Sequence, residues 1–292
     1  MKLDLMEKYM DIETRPCIVC GEENFEIFAK KSYLVAKKCK KCGMISTNPY
    51  FTETGVKVLY SEYLSDRLTD KNLENKRKAM YDIDRDWILR YIQRGHLLDI
   101  GSSAGYFLSR FNPSNFTRHG IEFSDECRVK AKELFDIPIR IGDIVDMNFD
   151  VKYDLITLRG VIEHFINPKL VIDKISKIIN VGGYLYITAT PNGQSFAFDV
   201  YKEKWNLFSI DHIHFFSIDH LDFIISKAGF KLVSYHYPYE ETPYANAEND
   251  FKKIKKDIAL IEGGSKSLVD SSVPFMGSMI TAVWRFDGVN AG

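Results

Sequence analysis

The chain reads as an α/β fold: a doubly wound, mainly parallel sheet of seven strands, preceded by a small module built on four cysteines. Three observations predict this. From His96 onward short apolar runs alternate with helical stretches, the rhythm of strand-helix-strand units. A glycine-bearing turn, Gly101 to Gly105, follows the first of those runs. Four of the five cysteines lie in two close pairs near the N-terminus. With 292 residues, 45% hydrophobic and 13% aromatic, the chain can bury one large core and still carry an appendage.

The cysteines form Cys17-x2-Cys20 and Cys39-x2-Cys42 with 18 residues between the pairs, the spacing of a zinc ribbon. Four thiolates at tetrahedral corners saturate zinc and leave no open position, so the metal is expected to be structural. Gly21 and Gly43 each follow the second cysteine of a pair, where the chain must turn with positive φ. Two disulfides or four buried thiols are the alternative readings. Cys127 stands apart in a helical pattern and reads as a small core residue. Lys30, Lys31, Lys37, Lys38, Lys40 and Lys41 make the module locally basic, either a solvated hairpin or a phosphate-contacting one. Tyr33 is the aromatic placed to stack a base.

Leu73, Met80, Ile83, Trp87 and Tyr91 recur at helical intervals and predict an amphipathic helix ending before Gly95. A strand to Ile100 follows, then a helix from Gly105, a strand to Phe123, a helix from Ser124 and a strand at Ile139 to Ile141. Next come a strand Tyr153 to Leu158, a helix Pro168 to Ile179, the turn Gly182-Gly183 and a strand Tyr184 to Ala189. A helix Ile218 to Ala228, a strand Phe230 to Tyr235 and a strand Met279 to Phe286 complete the pattern. Between the last two strands, about 238–273 form a polar excursion. In such sheets the crevice lies at the C-terminal ends of the parallel strands.

Thirty-nine basic against 40 acidic residues leave a net charge of −1, which gives no global field for nucleic acid or an anionic membrane. A small-molecule partner fits better. Met1 to Met10 lack a secretory signal's apolar core, and no run reaches the ~18 apolar residues that span a bilayer. With cysteines spaced for metal, a reducing cytoplasm is the expected compartment.

Leu97-Leu98-Asp99-Ile100-Gly101-Ser102-Ser103-Ala104-Gly105 describes a buried strand turning on glycine. Glu122, 17 residues past Gly105, ends the next strand, where a carboxylate can accept from both ribose hydroxyls of an adenosine. NAD is disfavoured, because Ser103 interrupts Gly-x-Gly-x-x-Gly and Asp99 would oppose a pyrophosphate. S-adenosylmethionine has an ammonium, a sulfonium and no phosphate.

On LLDIGSSAGYF, GIEFS, IGDI and YDLITLRGVIEHF the chain resembles the Rossmann-like class I methyltransferases over about residues 75 to 235. The resemblance implies that Gly101, Ser102 and Gly105 lie against the methionine part and that Glu122 holds the ribose. It implies further that Phe123 flanks the adenine, Asp143 and Ile144 meet the adenine amine, and Arg159 lines the pocket. The family often has Gly or Cys followed by Gly where this chain has Ser102-Ser103. On this reading 1–50 is a zinc ribbon, 51–92 a helical linker or lid, and 93–292 the methyltransferase domain with an insertion at about 238–273.

Glu163-His164, Thr190-Pro191-Asn192 and Asp211-His212-Ile213-His214-Phe215-Phe216-Ser217 resemble bacterial methyltransferases of sugars and other hydroxylated metabolites. This implies O-methylation of a sugar, nucleotide sugar or phosphorylated metabolite of surface-polysaccharide biosynthesis. The acceptor hydroxyl gains from a base, for which His164, His214 and His212 are the candidates, with Asp211 near enough to orient an imidazole. Tyr201, Trp205 and Phe208 could wall the acceptor or pack as core, and Tyr60 and Tyr63 could close over the cofactor or pack as helix. An RNA-base methyltransferase using the ribbon as a grip and a non-catalytic cofactor-binding module are the rival readings. Against the former, Leu158-Arg159-Gly160-Val161 stands where base methylation often has Asn/Asp-Pro-Pro-Tyr.

Overall fold

The computed structural model describes residues 4–59 and 71–288; Tyr60 and Tyr63 lie outside the described residues. Along the chain run β1 (Phe25–Lys31), β2 (Leu34–Cys39), β3 (Ile45–Thr47), α1 (Glu53–Val58) and α2 (Lys71–Ile88). There follow β4 (Gly95–Ile100), β5 (Phe116–Glu122), α3 (Asp125–Phe135), β6 (Ile139–Ile141), β7 (Tyr153–Arg159), α4 (Pro168–Ile178) and β8 (Ile179–Pro191). The last are α5 (Phe196–Tyr201), β9 (His214–Phe215), α6 (Ile218–Ser226), β10 (Phe230–His236), α7 (Ala247–Glu262) and β11 (Met279–Phe286). No described helix is long and apolar enough to cross a membrane.

Two compact units result. One draws on 73–190, 218–236 and the chain from 280; the other on 1–72, 191–217 and 237–279. The first holds the seven-stranded sheet, in the order β10-β11-β8-β7-β4-β5-β6. β4 pairs in parallel with β5 and β7, β5 with β6, and β7 with β8, while β10 and β11 run antiparallel. Chain order reverses at β4, the switch point of the sheet, beside which folds of this kind bind their ligands, at the C-terminal ends of the parallel strands. Leu97, Leu155, Tyr186, Val283, Phe107, Phe111 and Phe116 build a core on one side of the sheet. On α4, Val171, Ile172, Ile175 and Ile178 form the buried helical stripe.

Two local expectations need correction. No α-helix follows Gly105: a turn and a 3₁₀ segment, Leu108–Arg110, occupy that stretch. Pro113 disfavours the helical conformation at Asn112, and Phe107, Leu108 and Phe111 are all buried within the same few residues. Nor does Gly182-Gly183 precede its strand. β7 advances from Tyr153 to Leu155 while β8 advances from Ile179 to Tyr184, so the glycines form a bulge inside β8.

In the second unit β1, β2 and β3 form an antiparallel ribbon, and β9 adds a fourth strand through Ile45↔Phe215 and Ser46↔His214. Phe28, Phe198, Trp205, Phe208 and Phe215 pack ring on ring within it, with Phe198 and Trp205 stacked at 4.2 Å. Trp205, Tyr201 and Phe208 are thus core residues, fully buried. The polar excursion supplies α7, whose buried positions include Asp250 and Asp257 beside Ile254. Tyr239 OH donates to Asp250 and Tyr201 OH to Asp257, each at 2.7 Å. Those bonds satisfy two carboxylates that would otherwise make burial of this face prohibitive.

Candidate functional site

β4 ends in four buried residues, Leu97 to Ile100, and the third is a carboxylate only 2% exposed. Thr157, its register partner on β7, donates its hydroxyl to Asp99 Oδ1 at 2.5 Å. Burial pushes the Asp99 carboxyl up to about 7; the Thr157 bond and the charge of Arg159 oppose the rise, and Glu122 adds to it. Past Ile100 the chain reverses through left-handed backbone, with φ of 73° at Gly101, 47° at Ser103 and 76° at Gly105. A methyl group at Gly101 would lie 2.5 Å from Val161 Cγ2, so this turn requires glycine for space as well as for φ.

The turn is tied to β5. The amides of Gly101 and Ser102 both donate to Ile121 O, and Ser102 Oγ donates to the same carbonyl at 3.3 Å. Ser103 holds its uncommon backbone angle while its amide donates to Glu122 Oε2 at 2.8 Å; the Phe123 amide donates to Oε1 at 2.7 Å. Two backbone donors thereby orient the Glu122 carboxylate at the strand tip, and the Phe123 ring beside it is 59% exposed. After β6, Asp143 Oδ1 accepts from the Val145 amide and caps a short turn in which Ile144 is buried. Asp99, Gly101, Ser102, Gly105, Glu122 and Phe123 are therefore gathered at the ends of β4 and β5, and Asp143 and Ile144 follow the adjacent strand. Two carboxylates beside closely approachable backbone suit a cationic, phosphate-free adenosine and repel a pyrophosphate.

Arg159, at the tip of β7, is held on the helix side. Its Nε donates to Asp84 Oδ2 at 2.8 Å, and its guanidinium lies 4.6 Å above the Tyr81 ring. Burial works against the Arg159 charge, but Asp84 outweighs it and keeps the group above its ordinary range. Asp84 Oδ1 accepts from Tyr186 OH and Thr188 Oγ1 at 2.9 and 3.0 Å. The apolar periodicity of α2 passed over Asp84. Its signal was positional: among the described side chains of α2, Met80, Asp84 and Ile88 are the buried ones, four apart.

Beyond β7, a 3₁₀ turn Ile162–His164 presents Glu163 and His164. Glu163 is 1% exposed and accepts from Thr190 Oγ1 at 3.1 Å; His164 Nε2 lies 3.9 Å from its other oxygen. Thr190 follows Ala189, whose φ of 58° bends the end of β8.

Within the second unit the four cysteine sulfurs all lie within 4.8 Å of one another, with Cys17 to Cys42 at 3.5 Å and Cys20 to Cys39 at 3.6 Å. A zinc tetrathiolate with ~2.3 Å bonds has sulfur-sulfur edges of about 3.8 Å, so the donor set fits one tetrahedral ion. Gly21 and Gly43, with φ of 74° and 78°, donate to the carbonyls of Cys17 and Cys39 and close the two turns. His212 Nδ1–H donates to Leu207 O at 2.6 Å. Asp211 accepts from Ser209 Oγ at 2.6 Å, and His214, buried on β9, has Nδ1 3.0 Å from Ser46 Oγ. The two histidines thus sit in different environments, one in a turn and one in the ribbon sheet.

Comparison with known proteins agrees with this geometry. A protein of Methanocaldococcus jannaschii described as uncharacterized is 28% identical over 131 residues, 44% of this chain. The match spans 61% of that relative's length. The fold is that of a candidate methyltransferase of Bacillus halodurans C-125, with a TM-score of 0.52 and 16% identity over 74% of this chain and 99% of that one. A candidate sarcosine dimethylglycine methyltransferase of Galdieria sulphuraria superposes with a TM-score of 0.50 and 11% identity over 73% and 85%. The methyltransferase-domain family matches residues 60–235, the span that carries the glycine turn, both carboxylates and the β7 tip, and the chain belongs to that family.

Proposed function

We propose that this protein transfers the methyl group of S-adenosylmethionine to a hydroxyl oxygen of a small metabolite, a sugar or a sugar-linked or phosphorylated precursor of a surface polysaccharide. The observation that carries the donor half is the pair of oriented carboxylates, Asp99 and Glu122, at the glycine turn. The acceptor half rests on the resemblance of the Glu163-His164 and Asp211–Ser217 segments to sugar-modifying methyltransferases.

When bound, the donor supplies a methyl group already activated by its sulfonium, so the protein's task is alignment and proton removal. In this reading Asp99 attracts the donor's ammonium, Gly101, Ser102 and Gly105 approach its methionine part, and Glu122 accepts from the ribose hydroxyls. Phe123 covers one adenine face, and Asp143 with Ile144 meets the adenine amine. Arg159, which the resemblance puts at the pocket wall, is bonded to Asp84 and makes no contact with the donor in this reading. His164 takes the acceptor proton, worth ~10²–10⁴-fold, with the Glu163 carboxylate beside its ring. His214 and His212 are the alternative candidates, with Nδ1 beside Ser46 Oγ and Leu207 O respectively. Cys17, Cys20, Cys39 and Cys42 hold one structural zinc ion.

Calorimetry with S-adenosylmethionine, its demethylated product and NAD tests the donor. Uptake of NAD alone refutes it. Labelled donor offered with nucleotide sugars, sugar phosphates and RNA, read by mass spectrometry, tests the acceptor. His164→Ala should abolish turnover of the accepted substrate while leaving donor affinity within a few-fold.

A further inference from the structure

One face of the central sheet carries a row of buried polar side chains where apolar ones would be expected. Asp99 on β4 is the register partner of Thr157 on β7, and Thr157 of Tyr186 on β8; Arg159 is the partner of Thr188. Residues two apart on a strand share a face, so Asp99, Thr157, Arg159, Tyr186 and Thr188 project to the same side. Of these, Asp99, Thr157, Tyr186 and Thr188 are each at most 2% exposed. Helix α2 answers the row with Tyr81 and Asp84.

Asp84 is the hub. Its two oxygens accept three bonds from β7 and β8, and Thr188 Oγ1 also lies 2.7 Å from Thr281 Oγ1 on β11. A carboxylate held by three donors has one orientation, and it fixes Arg159 toward α2 against the Tyr81 ring. The same strand tip lies beside the donor carboxylate: Thr157, two residues earlier on the same face, is the group that bonds Asp99. A guanidinium free to turn there would find Asp99 as a second carboxylate partner.

We propose that Asp84 is a positioning residue for donor binding: by holding Arg159 in the Asp84–Tyr81–Tyr186–Thr188 network under α2, it keeps the guanidinium from occupying Asp99, the carboxylate that receives the donor's ammonium. The proposal rests on the donor-site reading above. Asp84 does not touch the donor; it acts through Arg159. The charged and titratable groups facing Asp99 are Arg159 on β7 and Glu122 on β5, with Asp84 on α2 and Tyr186 on β8 reaching it through Arg159.

Donor affinity of the full chain is measured by calorimetry between pH 6 and 8 for the unaltered protein, Asp84→Asn and Asp84→Asn/Arg159→Met, with the melting temperature of each. Asp84→Asn should bind S-adenosylmethionine about ten-fold more weakly, and the midpoint of its pH profile should move to lower pH, because Arg159 now pairs with Asp99. Removing the guanidinium as well should restore affinity to within about three-fold, whatever the melting temperatures do. A purely structural Asp84 would leave the double variant as weak as the single, and that result overturns the proposal, as does unchanged affinity in Asp84→Asn. If Asp84→Asn does not fold, the double variant decides: near-normal affinity supports the proposal, and a loss beyond ten-fold shows that Arg159 serves the donor itself and overturns it. Unaltered protein that takes up no donor overturns the donor-site reading and this proposal together.

Discussion

Replacing Gly101 by alanine adds one methyl group at the tightest point of the turn after β4. Two separable costs follow. Gly101 has φ of 73°, and an L-residue in left-handed backbone costs about 1–2 kcal/mol relative to the right-handed form. The new Cβ would also lie 2.5 Å from Val161 Cγ2 and 3.2 Å from Cγ1, so Val161 or the turn must shift, and overpacking of this kind costs about 1–3 kcal/mol. Together the loss should reach about 2–5 kcal/mol, a large part of the ~5–15 kcal/mol that holds a domain folded. Urea unfolding followed by circular dichroism measures it, with the slope checked for constancy. Val161→Ala in the Gly101→Ala background should return the steric share and leave the backbone share, a coupling of about 1–3 kcal/mol. The reasoning fails if Gly101→Ala lies within ~0.5 kcal/mol of the parent, or if Val161→Ala gives no relief.

Three further outcomes are expected. Burial pushes the Asp99 carboxyl from its ordinary 3.8 up to about 7, so its contribution to stability is complete below pH 4 and disappears as pH rises through 7. Affinity for a cationic donor should run the other way, rising up to about ten-fold per pH unit toward pH 7 and then levelling, with proton release on binding; a flat profile in the parent, or the same slope in Asp99→Asn, contradicts this. His119 has its pKa lowered from 6.5 by burial, then by His96 and Arg140, and its ring lies near His96 and Tyr153. Its contribution is therefore present above pH 6.5 and lost as pH falls below it; thermal melts of His119→Phe should be flatter in acid than those of the parent, and parallel curves would refute it. Elemental analysis should find one zinc per chain, and Cys42→Ser should lose most of it and melt at lower temperature, since zinc binding to such modules carries about 10 kcal/mol of folding free energy; unchanged metal content in the variant would rule out the tetrathiolate.

Spacing alone was sufficient for the features that depend on neighbours in the chain. The two Cys-x2-Cys turns need only local backbone and glycine to bring thiols together, so their assembly was legible from residues 17–43. The same holds for β4, β7 and β8, whose apolar runs are long enough to declare themselves, and for Gly101 and Glu122, which lie at strand ends whatever the rest of the chain does. Three other features were decided by residues far apart. β9 is two residues long and exists because Ile45 and Ser46 offer it an edge. The excursion's helix α7 looks like a solvated segment until Tyr201, 56 residues away, bonds Asp257. Asp84 reads as a surface charge on an amphipathic helix, and only the packing of α2 over β7 and β8 turns it into the buried partner of Arg159. A polar side chain can be buried when bonding partners arrive from elsewhere in the chain: all three for Asp84 are 75 to 104 residues away, and Tyr201, which joins the local Lys253 on Asp257, is 56 away. Periodicity records which residues avoid water; it holds no record of where a hydrogen-bond partner will come from, and that was settled by the tertiary fold.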